Sequence, residues 1–151
     1  MLRQDLNESL KEAMKAKDGC ATSTIRLILA AIKDRDIAAR TQGAGEKISD
    51  EQILEVLQKM VRQRKESIEM YAKGGRQDLV DRESHEIEVV EGFLPKPLSE
   101  AESQEAVAGV IGELGASSIK EMGQVMGELK RRYAGRMDFS KASTLVKDTL
   151  G

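Results

Sequence analysis

The sequence predicts an all-α protein, with an N-terminal four-helix part joined by a proline-containing linker to a C-terminal three-helix bundle. Three observations support this class. Aromatic residues make up only 3% of the 151 residues, and there is no tryptophan. Both prolines, Pro95 and Pro97, fall in one short stretch, so long segments on either side lack the strongest helix breaker. Apolar residues recur at helical spacing in those segments, and at 40% of the chain they suffice to form a core.

Two helices are predicted in the first part of the chain. The first spans about residues 2–17, with leucines at intervals of four, and Asp18-Gly19 ends it. The second spans about 23–40 and carries an isoleucine stripe on one face. The glycine-containing segment 41–45 terminates the second helix.

A long third helix and a fourth helix precede the prolines. Ser49 opens the third with Gln52 at the spacing of a capping box, and Gly74-Gly75 ends it. The fourth spans about 77–93. The stretch 94–97 should be a stiff extended connector, so we place a domain boundary there, between residues 1–94 and residues 98–151.

Three short helices are predicted after the linker, at about 99–115, 118–134 and 138–150. The first two begin with Ser-x-x-Glu, the spacing of a capping box, and glycine follows each of them. Asp138 is the predicted N-cap of the last helix. Three short helices make the smallest plausible bundle.

Composition excludes several classes of protein. The net charge of -2 is incompatible with a uniformly basic nucleic-acid binder and with a polyanionic tail. The single cysteine cannot form an internal disulfide, and the first residues lack the apolar core of a signal peptide, so we expect a cytoplasmic location. No apolar run approaches the roughly 20 residues that cross a bilayer, so no membrane association is expected.

Residues suited to catalysis or metal binding are scarce. His85 is the only histidine, and we interpret it as a surface residue of the fourth helix. Cys20 is interpreted as a small filler between helices. One histidine and one cysteine cannot supply a zinc tetrad, and the carboxylates lack EF-hand spacing. We therefore predict no catalytic residue, no metal site and no cofactor.

The strongest local feature is a group of cations at the junction of the last two predicted helices, here called the basic corner: Lys130, Arg131, Arg132 and Arg136, flanked by Lys141 and Lys147. No acid occurs between residues 130 and 136. These cations can contact phosphate oxygens. They can equally complement the negative end of a helix dipole, and spacing alone leaves both interpretations open.

Three glycines near the basic corner suggest close packing. Gly123 and Gly127 lie four residues apart on one face of the sixth predicted helix, where each costs about 1 kcal/mol of helix stability. Something must therefore approach this face closely. A neighbouring helix is the favoured interpretation, and an RNA backbone is the alternative. Gly135 belongs to the same set of close-packing glycines.

Several motifs in the same order along the chain resemble the YqeY-like family, also called GatB/YqeY-domain proteins. The motifs are Ile25–Lys33 (IRLILAAIK), Tyr71–Leu79 (YAKGGRQDL), Phe93–Lys96 (FLPK), Met122–Lys130 (MGQVMGELK), Gly135–Asp138 (GRMD) and Leu145–Lys147 (LVK). The resemblance implies that the C-terminal three-helix module is similar to the tail of the B subunit of tRNA-dependent amidotransferases, which is associated with gripping tRNA. It implies tRNA as a partner, and a tRNA-dependent amidotransferase or an aminoacyl-tRNA synthetase as a protein partner.

The resemblance also carries a label of carbon-nitrogen ligase with glutamine as amido-N-donor. The catalytic cradle of the B subunit precedes its tail, however, and nothing in residues 1–94 resembles that cradle. We therefore expect a non-catalytic, tRNA-binding or amidotransferase-associated accessory protein. The alternatives are the ligase itself, or a protein-interaction module without RNA binding. A second basic run on the third helix, Lys59, Arg62, Arg64 and Lys65, is either a solvated face, an extension of an RNA track or a surface for an acidic partner.

Overall fold

The structure is a computed structural model that describes residues 1–43, 45 and 47–151. All regular secondary structure in these residues is helical, which confirms the all-α class. The helices are α1 (Leu2–Lys15), α2 (Gly19–Thr41), α3 (Asp50–Lys73), α4 (Gln77–Glu91), α5 (Glu100–Leu114), α6 (Met122–Tyr133) and α7 (Phe139–Leu150), with a single 3-10 turn at Ile119–Glu121. The chain divides into two compact units, Met1–Leu94 and Pro95–Gly151.

The first unit packs α1 to α4 around one apolar core. Each of these helices contributes a side chain with no solvent exposure: Leu6 from α1, Ile28 from α2, Leu57 from α3 and Val90 from α4. Because buried positions recur at helical spacing along each element, the opposite faces carry the charged residues. The core therefore fixes which polar side chains of each helix remain outside.

Local capping explains where two helices of the first unit, α2 and α3, begin. The side chain of Asp18 accepts a hydrogen bond from the Ala21 amide at 3.0 Å, so Asp18 caps α2 and this helix starts earlier than the predicted residue 23. The predicted capping box at the start of α3 is confirmed. The Gln52 amide donates to Ser49 Oγ at 3.2 Å, and the Ser49 amide donates to Gln52 Oε1 at 3.0 Å.

The second unit packs α5 to α7 around a smaller core, in which Val107, Val125, Leu129 and Val146 are almost completely buried. Gly115 ends α5 in the left-handed conformation, with φ at +63°. Such a conformation favours glycine over residues that carry a Cβ.

The predicted start of the sixth helix is wrong. Ser118 makes no side-chain capping bond, and residues 119–121 form the 3-10 turn instead. The Glu121 carboxylate accepts a hydrogen bond from the Ser117 amide at 2.6 Å, one residue before the amide that a capping box on Ser118 would use. The α-helix then begins at Met122.

The proline segment is attached to the second unit by two hydrogen bonds. The Leu98 amide donates to the Arg136 carbonyl at 2.8 Å, and Arg136 Nε donates to the Lys96 carbonyl at 2.9 Å. Arg136 therefore holds the chain on both sides of Pro97. This attachment is absent from the sequence prediction, which treated the segment as a connector only.

Within the described residues, no helix has both the length and the apolar character needed to cross a membrane.

Candidate nucleic-acid interface

The basic corner lies around the turn between α6 and α7. Burial of Val125 and Leu129 leaves the polar residues of α6 outside. Gly135 adopts a φ of +77° in the turn, and Asp138 caps α7 by accepting hydrogen bonds from the Ser140 and Lys141 amides at 2.9 and 3.4 Å. The predicted cap at Asp138 is thus confirmed. Gly135 is buried, and its positive φ favours glycine at this position.

Two of the predicted phosphate-binding residues form ion pairs with carboxylates. Arg131 Nε lies 3.1 Å from Glu128 Oε2, and a second nitrogen of Arg131 contacts Glu128 Oε1. Arg132 Nε lies 2.7 Å from Glu128 Oε1, and its Nη2 lies 2.5 Å from Glu113 Oε2. Both guanidinium groups therefore already have anionic partners within the chain.

The pKa values follow from this network. Hydrogen bonds from Arg131 and Arg132 lower the pKa of the Glu128 carboxyl to about 2. The Arg132 guanidinium also lowers the pKa of Glu113. Glu128 remains ionised at neutral pH, so it partly neutralises the basic corner.

Arg136 has a structural role that the sequence did not indicate. Its side chain donates to the Lys96 carbonyl, and the residue is only partly exposed. Among the described residues Arg136 forms no ion pair with a carboxylate, although its charge interacts with that of Glu102.

The lysines of the predicted site are exposed and form no ion pair with any described residue. Lys130 lies in the last turn of α6, and Lys141 lies in the first turn of α7, so both flank the turn. Lys147 lies in the last turn of α7, roughly 12 Å along the helix axis from its start. The structure therefore brings Lys130, Lys141 and Arg136 to the turn and places Lys147 at the other end of α7.

Gly123 and Gly127 lie on an open face of α6. Among the residues that the structure describes, no heavy atom outside the helix backbone lies within 4 Å of a Cβ built at either position, and both glycines are exposed. The predicted contact with a neighbouring helix is therefore not found in the described residues, because α6 turns its Val125 and Leu129 side towards the core. Lys130 follows Gly127 at a spacing of three residues and shares this face.

Gly127→Ala is expected to stabilise the protein by about 0.5–1 kcal/mol, because the position is helical, exposed and free of steric conflict. The free energy of urea unfolding measures this change. Gly115→Ala is the matched control, with φ at +63° and equal space around it. It should destabilise the protein, and a loss of stability at both positions would contradict the assignment of an open helical face.

The remaining candidate residues do not form a catalytic or metal-binding cluster. His85 is exposed, and Cys20 is a partly buried free cysteine. No group of three or more metal-ligating side chains occurs in the portion of the chain that the structure describes. In the second basic run, Arg64 is held by Glu86 at 3.1 Å and Glu83 at 3.9 Å. This arginine therefore joins α3 to α4.

Comparison with known proteins identifies relatives in fungi that are called "Altered inheritance of mitochondria protein 41, mitochondrial". The chain is 38% identical to the protein of Lachancea thermotolerans, over 76% of this chain and 60% of the relative. It is 34% identical to the Kluyveromyces lactis protein, over 82% and 66% of the two chains. It is 38% identical to the Eremothecium gossypii protein, over 68% and 55%. The matched regions thus cover less than two thirds of each of these three relatives.

The cytoplasmic location expected from the sequence is wrong by this comparison, because the relatives are named as mitochondrial proteins. The expectation depended in part on a single cysteine. A lone cysteine excludes an internal disulfide, but it does not distinguish one reducing compartment from another.

A comparison with family profiles gives a match over almost the entire chain. This match agrees with the helical architecture and with the motifs, which are distributed from α2 to α7. The family profile described as "Yqey-like protein" matches residues 3–150. This chain therefore belongs to the YqeY-like family.

Proposed function

We propose that this protein is a non-catalytic, tRNA-binding accessory protein that contacts tRNA phosphates around the α6–α7 turn. In this proposal, residues 1–94 form a four-helix domain, the prolines form the linker, and residues 98–151 form the three-helix domain that binds RNA. A tRNA-dependent amidotransferase or an aminoacyl-tRNA synthetase is the proposed protein partner.

The observation that carries the proposal is the pair of exposed lysines that flank the turn and have no carboxylate partner among the described residues. Lys130 and Lys141 can each contact a phosphate oxygen without first breaking an internal ion pair. Arg136 adds charge at the turn itself. The open face at Gly123 and Gly127 supports the proposal, because it lets a backbone approach α6 closely beside Lys130.

The charges favour recognition of RNA shape over sequence. Ammonium groups that contact phosphates position a nucleic acid but do not read base edges. With three or four phosphates neutralised, the logarithm of the binding constant should fall with the logarithm of salt concentration at a slope of roughly -2 to -4. Binding should therefore be moderate at low salt and weak at high salt.

The test is a gel-shift titration of the full chain with tRNA at two salt concentrations. Lys130→Glu/Lys141→Glu is expected to weaken binding at low salt at least about tenfold, because it replaces two phosphate contacts by repulsion. Lys15→Glu/Lys73→Glu is the matched control, with the same change in charge at exposed positions of the first unit. Equal binding by the two double variants, or no binding by the unmodified protein at low salt, would remove the proposal.

Glu128→Gln provides a test in the opposite direction within the same titration. Loss of this carboxylate releases the Arg131 guanidinium from its ion pair and removes one of the two carboxylate partners of Arg132. We expect tighter tRNA binding and a steeper salt dependence. Weaker binding would show that Glu128 orients the two arginines for RNA, rather than competing with RNA phosphates for them.

A further inference from the structure

A cleft of about 640 Å³ lies in the first unit, between one face of α1 and one face of α2. Its α1 side carries Arg3, Asn7 and Lys11, which are four residues apart and so share a helix face. Its α2 side includes Lys33 and Asp36. The basic corner lies in the other unit, so this cleft is a separate feature of the molecule.

An ion pair between Arg3 of α1 and Asp36 of α2 lines the cleft. Asp36 is only 6% exposed and accepts two bonds from the Arg3 guanidinium, at 2.8 and 2.6 Å. It also accepts the Ile48 amide at 2.8 Å. The Asp36 charge is thereby neutralised, and this carboxylate does not repel an anion in the cleft.

Three lysines of the cleft have no such partner among the described residues. Lys11 from α1, Lys33 from α2 and Lys47 from the segment before α3 are exposed, and none forms an ion pair with a described residue. The other carboxylate in the lining is Glu8, which accepts a hydrogen bond from Gln4 at 3.4 Å. The described lining of the cleft therefore has excess positive charge.

The wall of the cleft adds an apolar contact. Leu29 and Ile32 belong to the lining, and Leu29 is partly exposed. Three ammonium groups contributed by three segments suit a ligand with several phosphate oxygens, and the leucine suits an attached apolar or aromatic ring. A nucleotide combines these two properties.

We propose that the cleft between α1 and α2 binds the phosphate groups of a nucleotide through Lys11, Lys33 and Lys47. The nucleotide is either free or part of an RNA strand, since both present the same phosphate chemistry. This proposal is independent of tRNA binding at the α6–α7 turn. Arg3 and Asp36 hold the two helices in place and are positioning residues only.

An NMR titration of the full chain tests the proposal, with ATP in the absence of magnesium, adenosine, and a short single-stranded RNA as probes. ATP or the RNA should shift the backbone amide signals of Asn7 and Lys33, whereas adenosine should bind much more weakly. Tighter binding of ATP would identify a free nucleotide as the ligand, and tighter binding of RNA would identify the strand. Absence of shifts at both amides with ATP and RNA alike would overturn the proposal.

Lys11→Ala/Lys33→Ala should weaken binding of the tighter probe by about five- to tenfold, as expected for the loss of two exposed charge contacts. Lys15→Ala/Lys73→Ala removes the same charge from exposed helical positions outside the cleft and should leave the affinity unchanged. Because alanine is a strong helix former, both variants should fold, and circular dichroism checks this. Equal affinities in the two variants would also overturn the proposal, while tRNA binding sensitive to Lys130 and Lys141 would be unaffected by that result.

Discussion

Leu129→Ala is expected to unfold residues 95–151 at a urea concentration at which residues 1–94 remain folded. Leu129 has no solvent exposure and lies in the centre of the second core. Its truncation should cost about 2.7–5 kcal/mol, because a buried leucine leaves both lost transfer energy and a cavity. A unit of this size buries comparatively little surface and has little stability in reserve.

The two tyrosines allow each unit to be followed separately, since the chain has no tryptophan. Tyr71 lies in α3, and Tyr133 packs against the second core. In a Tyr71→Phe background, fluorescence reports the second unit, and in a Tyr133→Phe background it reports the first. Leu129→Ala should lower the urea midpoint strongly in the former and little in the latter.

Leu114→Ala is the matched control, because the side chain is 44% exposed in the same unit. It should cost less than about 1 kcal/mol. If Leu129→Ala shifts both tyrosine signals to the same midpoint, the two units unfold as one, and the proposal of two domains is wrong.

The helices could be predicted because their signals are local in sequence. Apolar spacing located each of them, and the caps at Ser49, Ser99 and Asp138 form as predicted. The same Ser-x-x-Glu spacing at Ser118 fails, because the Glu121 carboxylate binds the Ser117 amide instead. A Ser-x-x-Glu pattern shows which capping hydrogen bonds can form, but the backbone conformation decides which of them do form.

The candidate sites could be predicted only in part, because their contacts join distant residues. The pairing of Glu128 with Arg131 and Arg132 follows helical spacing and was readable in the sequence. Contact between Glu113 and Arg132 depends on how α5 packs against α6, and no local pattern contains it. The sequence also shows that Gly123 and Gly127 lower helix stability, but it does not show that their side of α6 is open.

Asp36→Ala is expected to lower the free energy of unfolding of the first unit by about 2–4 kcal/mol, the range for removing one partner of a mostly buried, hydrogen-bonded ion pair. The substitution removes both bonds to Arg3 and the acceptor for the Ile48 amide. Urea unfolding in the Tyr133→Phe background measures the loss. Asp34→Ala, at an exposed position of the same helix, should change the free energy by less than about 0.5 kcal/mol.

The loss of unfolding free energy in Asp36→Ala should also depend on pH, becoming smaller as the pH falls. Hydrogen bonding to Arg3 lowers the pKa of Asp36 in the folded protein below its ordinary value. The unfolded chain therefore takes up this proton first as the pH falls. The stabilisation by Asp36 is complete above the ordinary pKa of about 4 and disappears as the pH falls through the lower folded value. The difference in unfolding free energy between the unmodified protein and Asp36→Ala should accordingly be constant from pH 7 to about pH 5 and shrink towards pH 3. A difference that stayed constant down to pH 3 would mean that Asp36 stabilises the fold by packing rather than through its charge.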